Sequence, residues 1–353
     1  MKSFVYAGLP YRVIFGAGTV VQLNVEVKAL ELQRVLVLTT PQQSQLGQTL
    51  DNQLGDLSAG VFSEATMHTP VKVTEKALSV FRSVGADGVV AIGGGSTVGL
   101  SKAIALHTDA PQIVLPTTYA GSEMTSIIGQ TEDGRKTTQK TLKVLPETVI
   151  YDIDYTLGLP PVMSVTSGLN AVAHAVEALY AQNANPVLSL MAEDGVAALM
   201  RALPKITESP TDSLARRDAL YGAWLCAMCL GSSDVALHHK LCHALAGSFN
   251  LPHAETHTIV LPHALAYNAP AVSAAMAQLR RATGSETPAA AFFDVAKSSG
   301  APTALKDIGM PEDGIERAVE ITLKNPYWNP RPFEEDAIRE IIRAAWEGLR
   351  PSV

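Results

Sequence analysis

The run GVVAIGGGSTVGLSKAIAL, residues 88–106, decides the fold. Its first part is short, apolar and bounded by glycine, and it reads as a buried strand. Its second part, TVGLSKAIAL, reads as a helix. Between them stand Gly93, Gly94, Gly95, Ser96 and Thr97. Glycine lets a backbone approach a pyrophosphate closely, and a helix N-terminus offers free N–H groups and a positive dipole end. Ser96 or Thr97 could cap the helix or touch a phosphate oxygen. The GxGxxG fingerprint of dinucleotide folds is not met, because Val98 takes its last glycine position. A tight strand-to-helix turn without a ligand is the competing reading. Lys102 lies one turn further on, where it could reach a bound nucleotide or simply face water.

The neighbouring segments repeat this alternation. RVLVLTT (34–40), PQIVLPTTYAG (111–121) and ETVIYDIDYTLGLP (147–160) read as strands separated by helical patterns. Such a rhythm predicts a Rossmann-like parallel sheet flanked by helices. Thr39 and Thr40 end the first of these strands, where dinucleotide folds contact the adenine ribose. An acid there would repel a 2′-phosphate, and hydroxyls do not, so NADH and NADPH both remain open. Thr117, Thr118 and Ser122 close the third strand as candidates for phosphate or nicotinamide contacts, or as ordinary turn hydroxyls.

After Pro161 the texture changes. Alanine and leucine dominate at helical spacing in 163–182, 186–203, 212–230, 235–248, 270–281 and 335–348, punctuated by Pro186, Pro204, Pro210, Pro252 and Pro262. The expected organisation is an α/β nucleotide-binding domain over 1–157 and an all-α substrate domain over 158–353, with the ligand site in the cleft between them.

The helical half holds the residues that speak to chemistry. SGLNAVAHAVEALY (167–180) puts Asn170 and His174 four apart, on one helix face. HHKLCHALAGSFNLPHAETH (238–257) holds His239, His243 and His253. A lone histidine is usually a core or surface residue, but this set points to one shared site. His238, His257 and His263 read as structural. An acid at 170 would complete a four-ligand metal set with His174 and two later histidines, but an amide stands there. A His₃ zinc site is chemically sound. The amide nonetheless removes a negative charge and a strong oxygen donor, so no metal is expected.

Composition narrows the rest. The chain has 353 residues, 47% hydrophobic and 17% charged, enough to bury the cores of two domains. Its net charge of −7 argues against a nucleic-acid partner. The first 18 residues read as strand and turn rather than a secretory signal, and no apolar run is long enough for a membrane span. Cys226 and Cys229 form a CxxC in AWLCAMCLG, and with Cys242 they read as small buried residues of a reduced, cytoplasmic protein.

Taken together these residues resemble the iron-containing alcohol dehydrogenase superfamily, over nearly the whole chain. The resemblance runs through FGAG (15–18), GGGS (93–96), PTT (116–118), GSE (121–123) and the histidine spacing. It places Asn170 at the family's metal-binding Asp position, His174, His239 and His253 at its three metal-binding histidines, and His243 at its non-ligand histidine near the nicotinamide. Within the superfamily the chain is most similar to the maleylacetate reductase branch, which looks metal-independent. GGGSTVGLSKAIALH, PTTYAGSEMT, SGLNAVAHAVEALY, HHKLCH and NPYWNPRP (325–332) carry that similarity. Gly99, where metal-dependent relatives usually have Asp, is a further shared departure.

The resemblance implies a dehydroquinate synthase-like fold, a homodimer, and reduction of the dicarboxylate maleylacetate to 3-oxoadipate by NADH or NADPH in aromatic-ring breakdown. Hydride would add to the alkene carbon β to the ketone, and charge would spread to the ketone oxygen as an enolate, which hydrogen-bond donors can stabilise without a metal. His243 is then the candidate proton donor or enolate stabiliser. His174, His239, His253 and Asn170 would bind or orient the substrate. Lys102, Lys240 and Arg331 are candidate cations for its carboxylates, and Tyr327 and Trp328 could close the pocket or pack C-terminal helices. Three rivals stand beside this reading: a metal-dependent alcohol dehydrogenase with Asn170 as a weak ligand, a metal-dependent lyase resembling dehydroquinate synthase, and a nucleotide-binding regulator without turnover.

Overall fold

The computed structural model describes residues 3–132 and 135–353. They form two compact units, Leu9–Leu157 and Gly158–Val353, and the described residues ahead of Leu9 group with the second. The expected first domain of 1–157 therefore loses its N-terminal end. Phe4, Val5 and Tyr6 are exposed and enter no strand.

The first unit contains β1 (Arg12–Gly16), β2 (Val35–Leu38), β3 (Ser58–Phe62), β4 (Gly88–Gly93), β5 (Gln112–Pro116), β6 (Ile127–Glu132), β7 (Arg135–Lys140) and β8 (Thr148–Asp152). Six of them make one sheet in the order β1-β8-β5-β4-β2-β3, parallel at every pairing. β6 and β7 form a separate antiparallel pair. Helices α1 (Leu23–Ala29), α2 (Ser44–Leu54), α3 (Val71–Ser83) and α4 (Gly95–Thr108) connect the strands.

Strand periodicity explains both faces. Val35, Val37, Val90, Ile92, Ile113 and Leu115 point to one side and pack with Leu23 and Val27 of α1 and Leu50 and Leu54 of α2. Leu36, Leu38, Val89, Ala91 and Val114 point to the other, against Leu78 and Phe81 of α3 and Leu100 and Ile104 of α4. A sheet covered on both faces has strands that read as unbroken apolar runs, which is why GVVAIG was legible. β3 and the β6–β7 pair have mixed burial and carried no such signal.

The second unit is helical, with no strand among its described residues: α5 (Pro161–Tyr180), α6 (Pro186–Glu208), α7 (Ser213–Ser232), α8 (Leu237–Phe249), α9 (His253–Asn268), α10 (Ser273–Thr283), α11 (Pro288–Ser298), α12 (Gly314–Leu323) and α13 (Glu335–Glu347). Asn185 Oδ1 accepts the N–H groups of Val187 and Leu188, and Asp212 Oδ1 those of Leu214 and Ala215, capping α6 and α7. α5 is buried from Ser164 to Tyr180 and packs against α6, α7 and α9. Two prolines expected to punctuate helices instead lie inside them, Pro204 in α6 and Pro262 in α9. A proline interior to a helix costs about 3 kcal/mol. α9 is buried from Thr256 to Leu265, and that burial outweighs the lost N–H bond. No single helix is long and apolar enough to cross a membrane.

All three cysteines are free and buried. Burial raises the Cys229 thiol to about 12 and holds that of Cys226 well above the usual thiol range, so neither is a ready thiolate.

Candidate active site

The helical unit gathers its histidines from three helices. α5 supplies Asn170 and His174, both buried, and Glu177 one turn beyond. α8 supplies His238 and His239, buried, and His243, exposed; α9 opens on exposed His253 and buries His257 one turn later. His174 stacks on His239 at 5.3 Å between ring centroids. His257 lies 5.2 Å from His239, 4.8 Å from His238 and 4.4 Å from His253. His243 sits 6.2 Å from His239, and its Nδ1 shares a 3.1 Å hydrogen bond with the hydroxyl of half-buried Tyr327.

The four histidines and Asn170 expected to act together thus lie on neighbouring elements, with a buried floor and an exposed rim of His243 and His253. Three members were not anticipated: His257, Glu177 and His238. His257, read from sequence as structural, lies against His174, His238, His239 and His253. Glu177 receives a hydrogen bond from His239 Nδ1 at 2.7 Å. Two of them carried a signal: His257 repeats the four-residue spacing of His239 and His243, and Glu177 is the lone acid in an otherwise uncharged buried helix. His238 also belongs to this network, its Nε2 lying 2.9 Å from His257 Nδ1.

Burial, and then the neighbouring imidazoles, push His174, His238 and His257 well below the usual histidine range, and burial takes His263 down to about 4. These rings are neutral in the folded chain at neutral pH. Below about pH 6.5 the unfolded chain takes up protons there that the folded chain refuses. Stability is therefore full above that pH and falls as pH drops through it, by about 1.4 kcal/mol per ring per pH unit. Urea midpoints measured from pH 7.5 to 5.5 should decline steeply, and a flat profile would show the rings to be hydrated.

The nitrogens of His174, His239 and His257 come within 4.8 Å of one another and could face a cation. The chemistry of that donor set does not match iron as the resemblance implies it. Position 170 offers an amide, the third converging ring is His257 rather than His253, and no acid is among the three. Glu177 stands behind His239 and is already committed to hydrogen bonds.

The cations proposed for substrate carboxylates are largely engaged. Lys240 Nζ donates to Lys324 O at 2.9 Å, and Arg331 donates to Tyr267 O at 2.6 Å while lying 4.0 Å over that tyrosine's ring. Tyr327 reaches His243, whereas Trp328 is exposed.

In the α/β unit, Gly93 through Thr97 form the β4–α4 junction. A Cβ at Gly93 would meet Thr97 Oγ1 at 2.3 Å, so only glycine fits. Gly94 is the N-cap and provides no side-chain cap, leaving the start of α4 open to an anion. Ser96 and Thr97 lie inside the first turn, so neither caps the helix as expected. Thr118 packs on Gly94, where a Cβ would lie 3.0 Å from its methyl. Thr117 Oγ1 accepts from Gln43 Nε2 at 3.0 Å, and the Thr39 hydroxyl donates to Thr40 O at 2.7 Å. Ser122 Oγ is buried without a partner.

Lys102 is corrected outright. Its Nζ is buried, lies 2.6 to 2.9 Å from Ser122 O, Thr125 O, Thr125 Oγ1 and Ile127 O, and builds the loop after β5 rather than reaching a ligand. At Gly99 an added Cβ would meet Thr69 Oγ1 at 2.3 Å, so a side chain there would require Thr69 to move.

Comparison with known proteins gives the family. Residues 10–153 match the iron-containing alcohol dehydrogenase model, and 164–346 match the C-terminal model of the Fe-containing alcohol dehydrogenase family. The chain is 54% identical to maleylacetate reductase of Sphingobium indicum over 99% of both chains, and 52% identical to that of a Rhizobium species over 99% of this chain and 100% of the relative. The crystal structure of maleylacetate reductase from Agrobacterium tumefaciens superposes with a TM-score of 0.96 at 53% identity, covering 99% of this chain and 100% of that one. 1,3-Propanediol oxidoreductase, at 24% identity and a TM-score of 0.90 over 98% of this chain and 100% of that one, shares the fold. This chain belongs to the iron-containing alcohol dehydrogenase family.

Proposed function

We propose that this chain reduces the C=C bond of maleylacetate to give 3-oxoadipate, with NADH or NADPH and without a metal. The observation that carries the reading is a histidine cluster with an amide at the acid position, in a chain more than half identical to a maleylacetate reductase over 99% of its length. The nicotinamide cofactor supplies the hydride. The open start of α4, with Gly94 and Gly95 beside Thr118, suits its phosphates.

The chain's own groups then serve the dicarboxylate. Buried His174 and His239 and exposed His253 would bind or orient it, and Asn170 can both donate and accept hydrogen bonds, which an aspartate cannot. Tyr327, whose hydroxyl is held protonated by partial burial, can donate to His243 Nδ1. That leaves the ring proton of His243 on Nε2, where it can pass to the enolate carbon as Nδ1 takes up the Tyr327 hydroxyl proton, which solvent then restores, or stabilise the enolate oxygen. We place the enzyme in the cytoplasm as a homodimer, on the strength of its unpaired cysteines and family resemblance.

The test is loss of NADH absorbance on adding maleylacetate, with and without a chelator. Turnover unaffected by chelation, with substoichiometric iron and zinc in the purified protein, is the expected result. No turnover would remove the reductase reading. Stoichiometric metal and chelator-sensitive activity would favour the metal-dependent alcohol dehydrogenase instead.

A further inference from the structure

Glu177 is 1% exposed on α5, and none of the site roles above uses it. Its Oε2 accepts from His239 Nδ1 at 2.7 Å and from the N–H of Ala236 at 2.6 Å, while its Oε1 accepts from the N–H of His238 at 2.7 Å. A carboxylate that accepts two backbone N–H groups is an acceptor only. His239 Nδ1 must therefore be the donor, and the proton on that face of the ring is on Nδ1. Its Nε2 is left buried and without a hydrogen-bond partner.

The same carboxylate starts α8. Ala236 is the N-cap and contributes no side-chain cap, so Glu177 satisfies the first N–H groups from a different helix and places negative charge at the positive end of the dipole. Helix start and ring orientation are thus set by one group. The neighbouring rings share the pattern, since His174 Nδ1 and His257 Nε2 are also buried and unpartnered.

We infer that Glu177 is a positioning residue of the reductase: it holds His239 as the Nδ1–H form with Nε2 turned toward the dicarboxylate. The part concerning substrate rests on the reductase reading above; the Glu177–His239 arrangement does not.

The experiment uses the full chain labelled with ¹⁵N-histidine, with His239→Gln to assign the resonance. Wild-type His239 should show a proton on Nδ1. In Glu177→Gln one of the two oxygens becomes an amide donor, so the three existing donors cannot all be accepted. The pure Nδ1–H signature should be lost, the KM for maleylacetate should rise roughly tenfold or more, and the KM for NADH should stay within about twofold. A residue that only held the fold would move both KM values together. The inference is overturned if wild-type His239 carries its proton only on Nε2, or if Glu177→Gln keeps the Nδ1–H form. It is overturned also if the two KM values shift in step. Should the variant not fold, the wild-type spectrum still decides. If wild type fails to reduce maleylacetate, the reductase reading falls, and the spectrum still answers for Glu177 and His239.

Discussion

Replacing His243 by alanine is expected to lower kcat for maleylacetate reduction by about 10²- to 10⁴-fold, the range for loss of a general acid. The side chain is exposed on α8, so its removal leaves no cavity, and the melting temperature should stay near that of wild type. Its hydrogen bond to Tyr327 is at the protein surface and contributes little to stability. KM for NADH should be little changed, because the effect is confined to protonation after hydride transfer. Stopped-flow single-turnover measurements separate that step from product release. Turnover equal to wild type would remove His243 from the chemistry and shift the proton-donor role to another rim group.

Asn170→Asp is expected to be the second large effect, and of a different kind. It puts a carboxylate on buried α5 one turn from the neutral ring of His174. A buried charge without a counter-ion typically costs 3 kcal/mol or more, roughly. The variant should therefore melt lower than wild type in chelator and recover when iron(II) or zinc is supplied, since ligand binding to the folded state alone stabilises it. Metal affinity should rise by orders of magnitude, because the set gains the acid that the parent lacks. Reduction of maleylacetate should fall by about tenfold or more, as an acceptor-only group replaces one that can donate. Unchanged metal content and unchanged activity would show that position 170 does not face the site.

The parts of this protein that sequence made legible are those governed by local rules. GVVAIGGGS announced a buried strand, a tight turn and a helix start, because a central parallel strand must be apolar on both faces and the turn has no space for a Cβ at Gly93. The long helices of the second unit followed from composition and from caps such as Asp212. Asn170 in place of an acid was visible as a letter. Edge strand β3 and the β6–β7 pair were not legible, since partly buried or exposed strands lack a strong apolar pattern.

Tertiary structure decided which side chains share a space. Lys102 looked like a ligand and is a loop builder, because four oxygens from residues 122–127 surround its nitrogen. His257 looked structural and stands among the site histidines, because α5, α8 and α9 cross there. Glu177 lies 62 residues from the histidine it orients. Spacing along a chain places residues on a helix face, but it cannot say which faces of different helices meet. By itself the sequence determined that this family's acid is missing from α5. Only the packing of three helices put a buried carboxylate behind His239 and left that ring's Nε2 without a partner.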